Sequence, residues 1–154
     1  MNGARMTRFA NARRTLEAVL LCGFSASAAD SPGRLEIEIV GLRNDRGHVL
    51  CDLFASASAF PTKPEQALMR VQASIVNKRA HCTFAGIEPG RYAISTIHDE
   101  NQNGVLDRIM GLPSEGVGAS RDARGHFGPP KFDDAAFSYF GGTLNMTVTV
   151  RYLL

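Results

Sequence analysis

Residues 143–152 read TLNMTVTVRY, and the alternation in this stretch decides the fold. Leu144, Met146, Val148, Val150 and Tyr152 interleave with Thr143, Asn145, Thr147, Thr149 and Arg151. Successive side chains of a strand point to opposite faces, so this order makes one apolar and one polar face, whereas a helix would scatter the apolar set around its circumference. Working outward, the same period recurs in Leu35, Ile37 and Ile39, in Val49, Cys51 and Leu53, in Val71, Ala73 and Ile75, and in Ala80, Cys82 and Phe84. Turn chemistry separates the runs. Asn44, Asp45, Arg46 and Gly47 join the first two, and Glu88, Pro89, Gly90 and Arg91 match a type II turn, with proline at its second position and glycine at its third. The stretch from Phe60 to Ala67, with Pro61 and Pro64, reads as a crossing loop, with one helical turn near Glu65 to Met69. Short strands at this spacing predict an all-β fold, an antiparallel β-sandwich of about seven strands.

The N-terminus has a different character. Arg5, Arg8, Arg13 and Arg14 precede an apolar run from Leu16 to Phe24, broken only by Glu17, and then the small residues Ser25 to Ala29. That is the order of a secretory signal peptide, with cleavage after Ala28 or Ala29. The apolar run falls short of the ~20 residues a membrane-spanning helix needs, and no membrane span is expected. The chain of 154 residues therefore divides into a leader at 1–29 and one domain at 30–154. Export to the periplasm or beyond is the expected localisation.

Losing the leader changes the charge. The whole chain carries 17 basic and 15 acidic residues, and the leader holds four of the former and one of the latter. The remainder has 13 against 14, so no basic excess favours a nucleic-acid or anionic-membrane role. Two cysteines remain, Cys51 and Cys82, both on apolar faces of their strands. In an oxidising compartment they are expected to form a disulfide.

From Asp99 to Asp134 the alternation stops, and glycine and proline take over. A connection of this length in a compact domain tends to carry function. Within it, Asp99, Asn101, Asn103, Gly104 and Asp107 occupy positions 1, 3, 5, 6 and 9 of a calcium-loop pattern, and Val105 stands where that pattern uses a main-chain carbonyl. Calcium takes six to eight oxygens, and alternate side chains of such a loop point at a common centre. The pattern is incomplete: Met110 sits at position 12, where an EF-hand supplies a bidentate glutamate, so further oxygens would come from Glu100, Glu115 or water. The competing reading is a tight turn in which Asn and Asp cap their own backbone.

Other chemistry is sparser. His98 beside Asp99, with Ser120 in a glycine-rich stretch, sketches a hydrolytic set, but no nucleophile elbow surrounds Ser120. His48, His81, His98 and His126 lack the close spacing of a zinc or copper site. Phe127, Phe132, Phe137, Tyr139 and Phe140 would suit a carbohydrate or peptide groove, but are read as packing the long segment onto the sandwich. The expected activity is binding or envelope structure rather than catalysis, with an unidentified protein or glycan as ligand. A periplasmic hydrolase using His98 and an acidic residue is the alternative.

An ordered series of residues resembles the domain of unknown function 2141 family of small exported bacterial proteins. It runs through Pro89, Gly90, Arg91, Tyr92 and Ala93, then His98 to Asp107 without a break. It continues through Gly111 to Gly116, Gly118 and Ser120, to Pro130 to Ala135. Ala119 and Arg121 stand where such proteins more usually have phenylalanine and asparagine. The resemblance, over roughly Leu35 to Tyr152, implies export and an immunoglobulin-like or transthyretin-like sandwich. It implies no activity.

Overall fold

A computed structural model describes residues 33–154, and the leader expected at 1–29 lies outside them. The described chain runs β1 (Arg34–Val40), β2 (His48–Phe54), β3 (Met69–Ala73), β4 (Ala80–Ala85), β5 (Gly90–Asp99), β6 (Arg108–Ile109), β7 (Leu112–Pro113), β8 (Gly116–Ala119), α1 (Phe132–Ala135), β9 (Phe137–Tyr139) and β10 (Thr143–Thr149). One sheet has the order β10-β1-β4; the other has the order β3-β2-β5-β8, with β9 also pairing to β5. β6 and β7 form a separate two-stranded hairpin. No described helix is long and apolar enough to cross a membrane.

The two sheets close on the apolar faces that the alternation marks. Leu35, Ile37, Ile39, Cys82, Phe84 and Val148 of one sheet meet Val49, Cys51, Leu53 and Ile94 of the other, and all are essentially inaccessible. Burying each such side chain contributes about 1.5 to 3 kcal/mol. Cys51 on β2 and Cys82 on β4 are disulfide-bonded across this core, with Cα atoms 6.5 Å apart. The bridge therefore ties one sheet to the other.

The sandwich is antiparallel except in one ladder. β1 pairs with β10 in parallel, from Arg34 opposite Thr143 to Val40 opposite Thr149, and with β4 antiparallel. Parallel neighbours need a long crossover. Here everything between β1 and β10, including the whole second sheet, serves as that connection.

β5 is the longest strand, and it lacks an alternating pattern because both of its faces are covered. Ile94, Thr96 and His98 are buried, and so are Ala93, Ser95 and Asp99. A second apolar cluster lies beyond the main core, made of Phe54, Ala59, Phe60, Ala93, Ala119, Phe132, Ala135 and Ala136. Its aromatic rings meet edge to face, Phe54 with Phe60 at 5.5 Å and Phe60 with Phe132 at 5.9 Å between centroids. The crossing segment around Phe60, with its single 3-10 turn at Pro64–Gln66, packs here together with the segment around α1. The stretch from 99 to 134, which reads as one long loop, is in fact divided by β6, β7, β8, a 3-10 turn at Ser120–Asp122 and α1.

The expected type II turn before β5 is corrected by the backbone. Gly90 does not have positive φ; Gly86 does, at +73°. Gly90 is instead the first residue of β5, and a Cβ there would lie 2.9 Å from the Tyr92 hydroxyl oxygen. That ring folds back so that Tyr92 Oη donates to the Glu88 carbonyl at 2.9 Å. Close approach, not a left-handed turn, calls for glycine at this position.

Candidate metal centre

The loop after β5 starts from a buried carboxylate. Asp99 ends β5, is fully buried, and stands opposite His48 in the β2–β5 ladder. Its Oδ1 accepts the Asn103 N–H at 3.1 Å, and its Oδ2 accepts the Gly104 N–H at 2.7 Å. His48 Nε2 lies 3.1 Å from the same Oδ2. Asn101 Oδ1 also accepts from Asn103 N–H, and Asn103 Oδ1 accepts from Val105 N–H at 3.0 Å. These are nested turns of the kind Asn and Asp side chains make with the backbone two residues on. Gly104, at φ +80°, supplies the left-handed step that lets the chain reverse.

Three of the five predicted ligands converge through their side chains, and Asp99 joins them through the backbone N–H groups it accepts. Asn101 Nδ2 donates to Asp107 Oδ2 at 2.6 Å, and Asn103 Nδ2 lies 3.1 and 3.2 Å from the two Asp107 oxygens. Val105 points its side chain to solvent and joins the cluster through its main chain. The donors are two carboxylates and two amides, a hard, oxygen-bearing set with no thiol or imidazole among the four. Among the described residues no three His, Cys, Asp or Glu side chains stand together as a metal-holding group. A cation here would thus depend on amide oxygens for half of its side-chain ligands, which suits modest affinity for calcium.

Glu115 and Glu100, the two further candidates, have different partners. Glu115 is buried, and its Oε1 and Oε2 accept the N–H groups of Glu100 and Asp107 at 3.0 and 3.1 Å. One carboxylate therefore clamps both ends of the loop. Ser114 N–H adds a bond to the Asp107 carbonyl at 3.0 Å. The family model described as an uncharacterized protein conserved in bacteria, DUF2141, matches residues 37–147, a span that holds the whole loop and its clamp. The chain belongs to DUF2141. No curated protein and no solved structure is significantly similar to it.

In this DUF2141 chain Glu100 turns away from the loop centre. Arg43 grips it in a two-pronged pair, Nε to Oε1 at 2.7 Å and Nη2 to Oε2 at 2.8 Å, and Asn44 Nδ2 adds a bond at 2.9 Å. The Arg43 hydrogen bonds, then that of Asn44 and the charge of Arg43, lower the Glu100 carboxyl from 4.5 to about 2. A carboxyl depressed on folding stabilises the native state above its unfolded value and loses that contribution as the pH falls through its folded value. Melting temperature is therefore expected to drop between about pH 4.5 and pH 2, and Glu100→Gln is expected to flatten that part of the profile. An unchanged acid limb in the variant would remove the pair from the account.

His98 of the DUF2141 chain is a buried tie rather than an exposed base. Its Nε2 lies 2.8 Å from the Arg46 carbonyl, which only accepts, so Nε2 carries the proton. Nδ1 then accepts the Tyr152 hydroxyl at 2.6 Å, while that oxygen accepts the Arg43 N–H at 3.0 Å. Arg43 also lies over the Tyr152 ring, 4.5 Å from its centroid. Ser120 is buried elsewhere, accepting from Ile94 N–H at 2.9 Å and donating to the Ala135 carbonyl at 2.6 Å. No hydrogen bond joins Ser120 to His98.

The structure adds partners with no signal near the loop in sequence. Arg70, on β3, forms a two-pronged pair with the buried Asp52 of β2 at 2.6 and 2.8 Å and also donates to the Gly104 carbonyl at 3.2 Å. Arg43 and His48 flank the turn between β1 and β2 and Arg70 lies on β3, and only folding brings them to one loop. Of the aromatic residues near the end of the long segment, Phe132 and Tyr139 are buried as expected, whereas Phe127 and Phe140 stand in solvent. Arg121 has φ +58°, a conformation asparagine tolerates better than arginine.

Proposed function

We propose that this chain is a non-enzymatic, exported β-sandwich module whose loop at 99–107 binds a calcium ion, and which uses the surface around that loop to bind a protein or glycan of the envelope or the extracellular space. The observation that carries the calcium reading is the convergence of Asn101 and Asn103 on Asp107 above the buried Asp99. Turning either amide over gives up the bond its oxygen accepts from the Asn103 or Val105 N–H and brings that oxygen to nearly the point the nitrogen held. The side chains of Asp99, Asn101, Asn103 and Asp107, with the Val105 carbonyl, would then supply oxygens to one ion. Calcium would neutralise carboxylates that the free protein satisfies with N–H donors. Export is supported by the order of basic, apolar and small residues in the leader and by the Cys51–Cys82 bridge, which suits an oxidising compartment. Against the hydrolytic alternative stand the burial of His98 and the engagement of both its ring nitrogens.

Thermal unfolding tests the proposal. Extracellular calcium modules have dissociation constants near ~10⁻⁴ to 10⁻³ M, so 10 mM calcium is expected to stabilise by roughly 1.5 to 3 kcal/mol, a rise of about 5 to 10 °C. Asp107→Ala is expected to abolish that rise. No shift with calcium in the unaltered protein would sink the reading.

A further inference from the structure

The hairpin of β6 and β7 projects from the loop just described and carries an apolar tip. Ile109 pairs with Leu112, and the two-residue turn between them is Met110 and Gly111, with φ of +51° and +83°. Ile109 is 58% exposed, Met110 98% and Leu112 50%, and the nearby Val105 is 56% exposed. The tip is rigidly mounted, since the Ser114–Asp107 bond and the Glu115 clamp close its base.

Met110 violates two local preferences at once. A turn with positive φ at both central positions favours asparagine and glycine, and a methionine there bears a backbone cost as well as full hydration of its side chain. Residues that break local rules in an otherwise consistent fold mark functional sites.

We propose that this hairpin tip inserts into the surface of an anionic lipid bilayer, with Ile109, Met110 and Leu112 entering the acyl boundary and Arg108 meeting the headgroups. The shape favours lipid. The tip is a projection of two-residue strands whose apical side chain, Met110, is almost wholly exposed. Its few aliphatic side chains fall far short of the 20 to 30 residues a side in a stable protein interface, whereas membrane binding has no such threshold and scales with the apolar area buried plus attraction to anionic lipid, which here gives a marginal, reversible hold. The charge agrees. Arg108 has no carboxylate partner among the described residues, and its Nη1 donates to the Gly111 carbonyl at 3.2 Å, which keeps the guanidinium beside the tip. The domain has no overall basic excess, but the tip itself carries no acidic side chain between residues 108 and 113, and the Asp107 carboxylate at its base is engaged by the Asn101 and Asn103 amides.

The chain contains no tryptophan, so one introduced residue reports alone. Protein beginning at Asp30, without the apolar leader, is mixed with phosphatidylglycerol–phosphatidylethanolamine vesicles in chelator, so that calcium bridging plays no part and the proposed metal binding is not tested. Emission from Leu112→Trp is expected to shift to shorter wavelength on adding vesicles, and emission from Phe127→Trp, in the segment before α1 where an aromatic ring is also exposed, is expected not to move. Ile109→Ser combined with Met110→Asn is expected to weaken vesicle co-sedimentation at least tenfold. Met110→Asn alone is expected to leave the melting temperature unchanged or raise it, because asparagine tolerates the left-handed backbone. A folded Leu112→Trp protein with unchanged emission would overturn the proposal. So would insertion reported by Phe127→Trp instead, or tip-dependent self-association without lipid.

Discussion

Replacing Cys51 and Cys82 together by alanine is expected to lower the stability of the domain by about 3 to 4 kcal/mol. The two cysteines are 31 positions apart, and cross-linking a loop of that length removes about this much conformational freedom from the unfolded chain. Both residues are completely buried, so the alanine pair also leaves part of the space between the sheets unfilled. β2 and β4 lie in different sheets, and β2 also holds His48 under the loop, so looser packing between sheets is expected to reach the candidate site. Urea unfolding of the variant measures the loss. The denaturant slope is expected to rise, because an unbridged unfolded chain exposes more surface. A loss below about 1 kcal/mol would show that the bridge adds little to a sandwich already closed by its apolar faces.

Asp99→Ala is expected to cost about 2 to 3 kcal/mol without any metal present. The carboxylate is fully buried and accepts from the N–H groups of Asn103 and Gly104, with His48 Nε2 beside it. Removing it leaves the Gly104 N–H without its acceptor and takes one of two acceptors from the Asn103 N–H, which keeps Asn101 Oδ1, and it empties a fully buried position beside His48. Asp107 is less buried and its partners are side-chain amides that water can reach, so Asp107→Ala is expected to cost less than about 1 kcal/mol. Chemical denaturation of the two variants in chelator measures the difference, and amide hydrogen exchange at Asn103 and Gly104 is expected to accelerate in the first. Equal, small losses would mean that Asp99 does not organise the loop.

The strands with one face toward the core were legible in advance. β1, β4 and β10 show their apolar residues at every second position, because period two is imposed by backbone geometry and needs no knowledge of the partner strand. β5 was not legible, although it is the central strand of its sheet and supplies Asp99. Both faces of β5 are covered, one by the core and the other in part by segments around Phe60 and Phe132, so no contrast between faces remains to be read. The bridge was legible because both cysteines stand in phase with the core-facing residues of their strands, Val49 and Leu53 on one and Ala80 and Phe84 on the other.

The candidate site divides in the same way. The sequence by itself determined the oxygen-bearing residues Asp99, Asn101, Asn103 and Asp107 and the turn at Gly104, because turn chemistry acts over a few residues. Tertiary structure alone decided that Glu115 clamps the loop while Glu100 turns to Arg43, and that His48 and Arg70 support the loop from β2 and β3. It alone decided that β10 returns parallel to β1. Alternation records which face of a strand is buried, and it carries no information on direction, neighbour or which charge lies opposite; those follow only when distant segments pack.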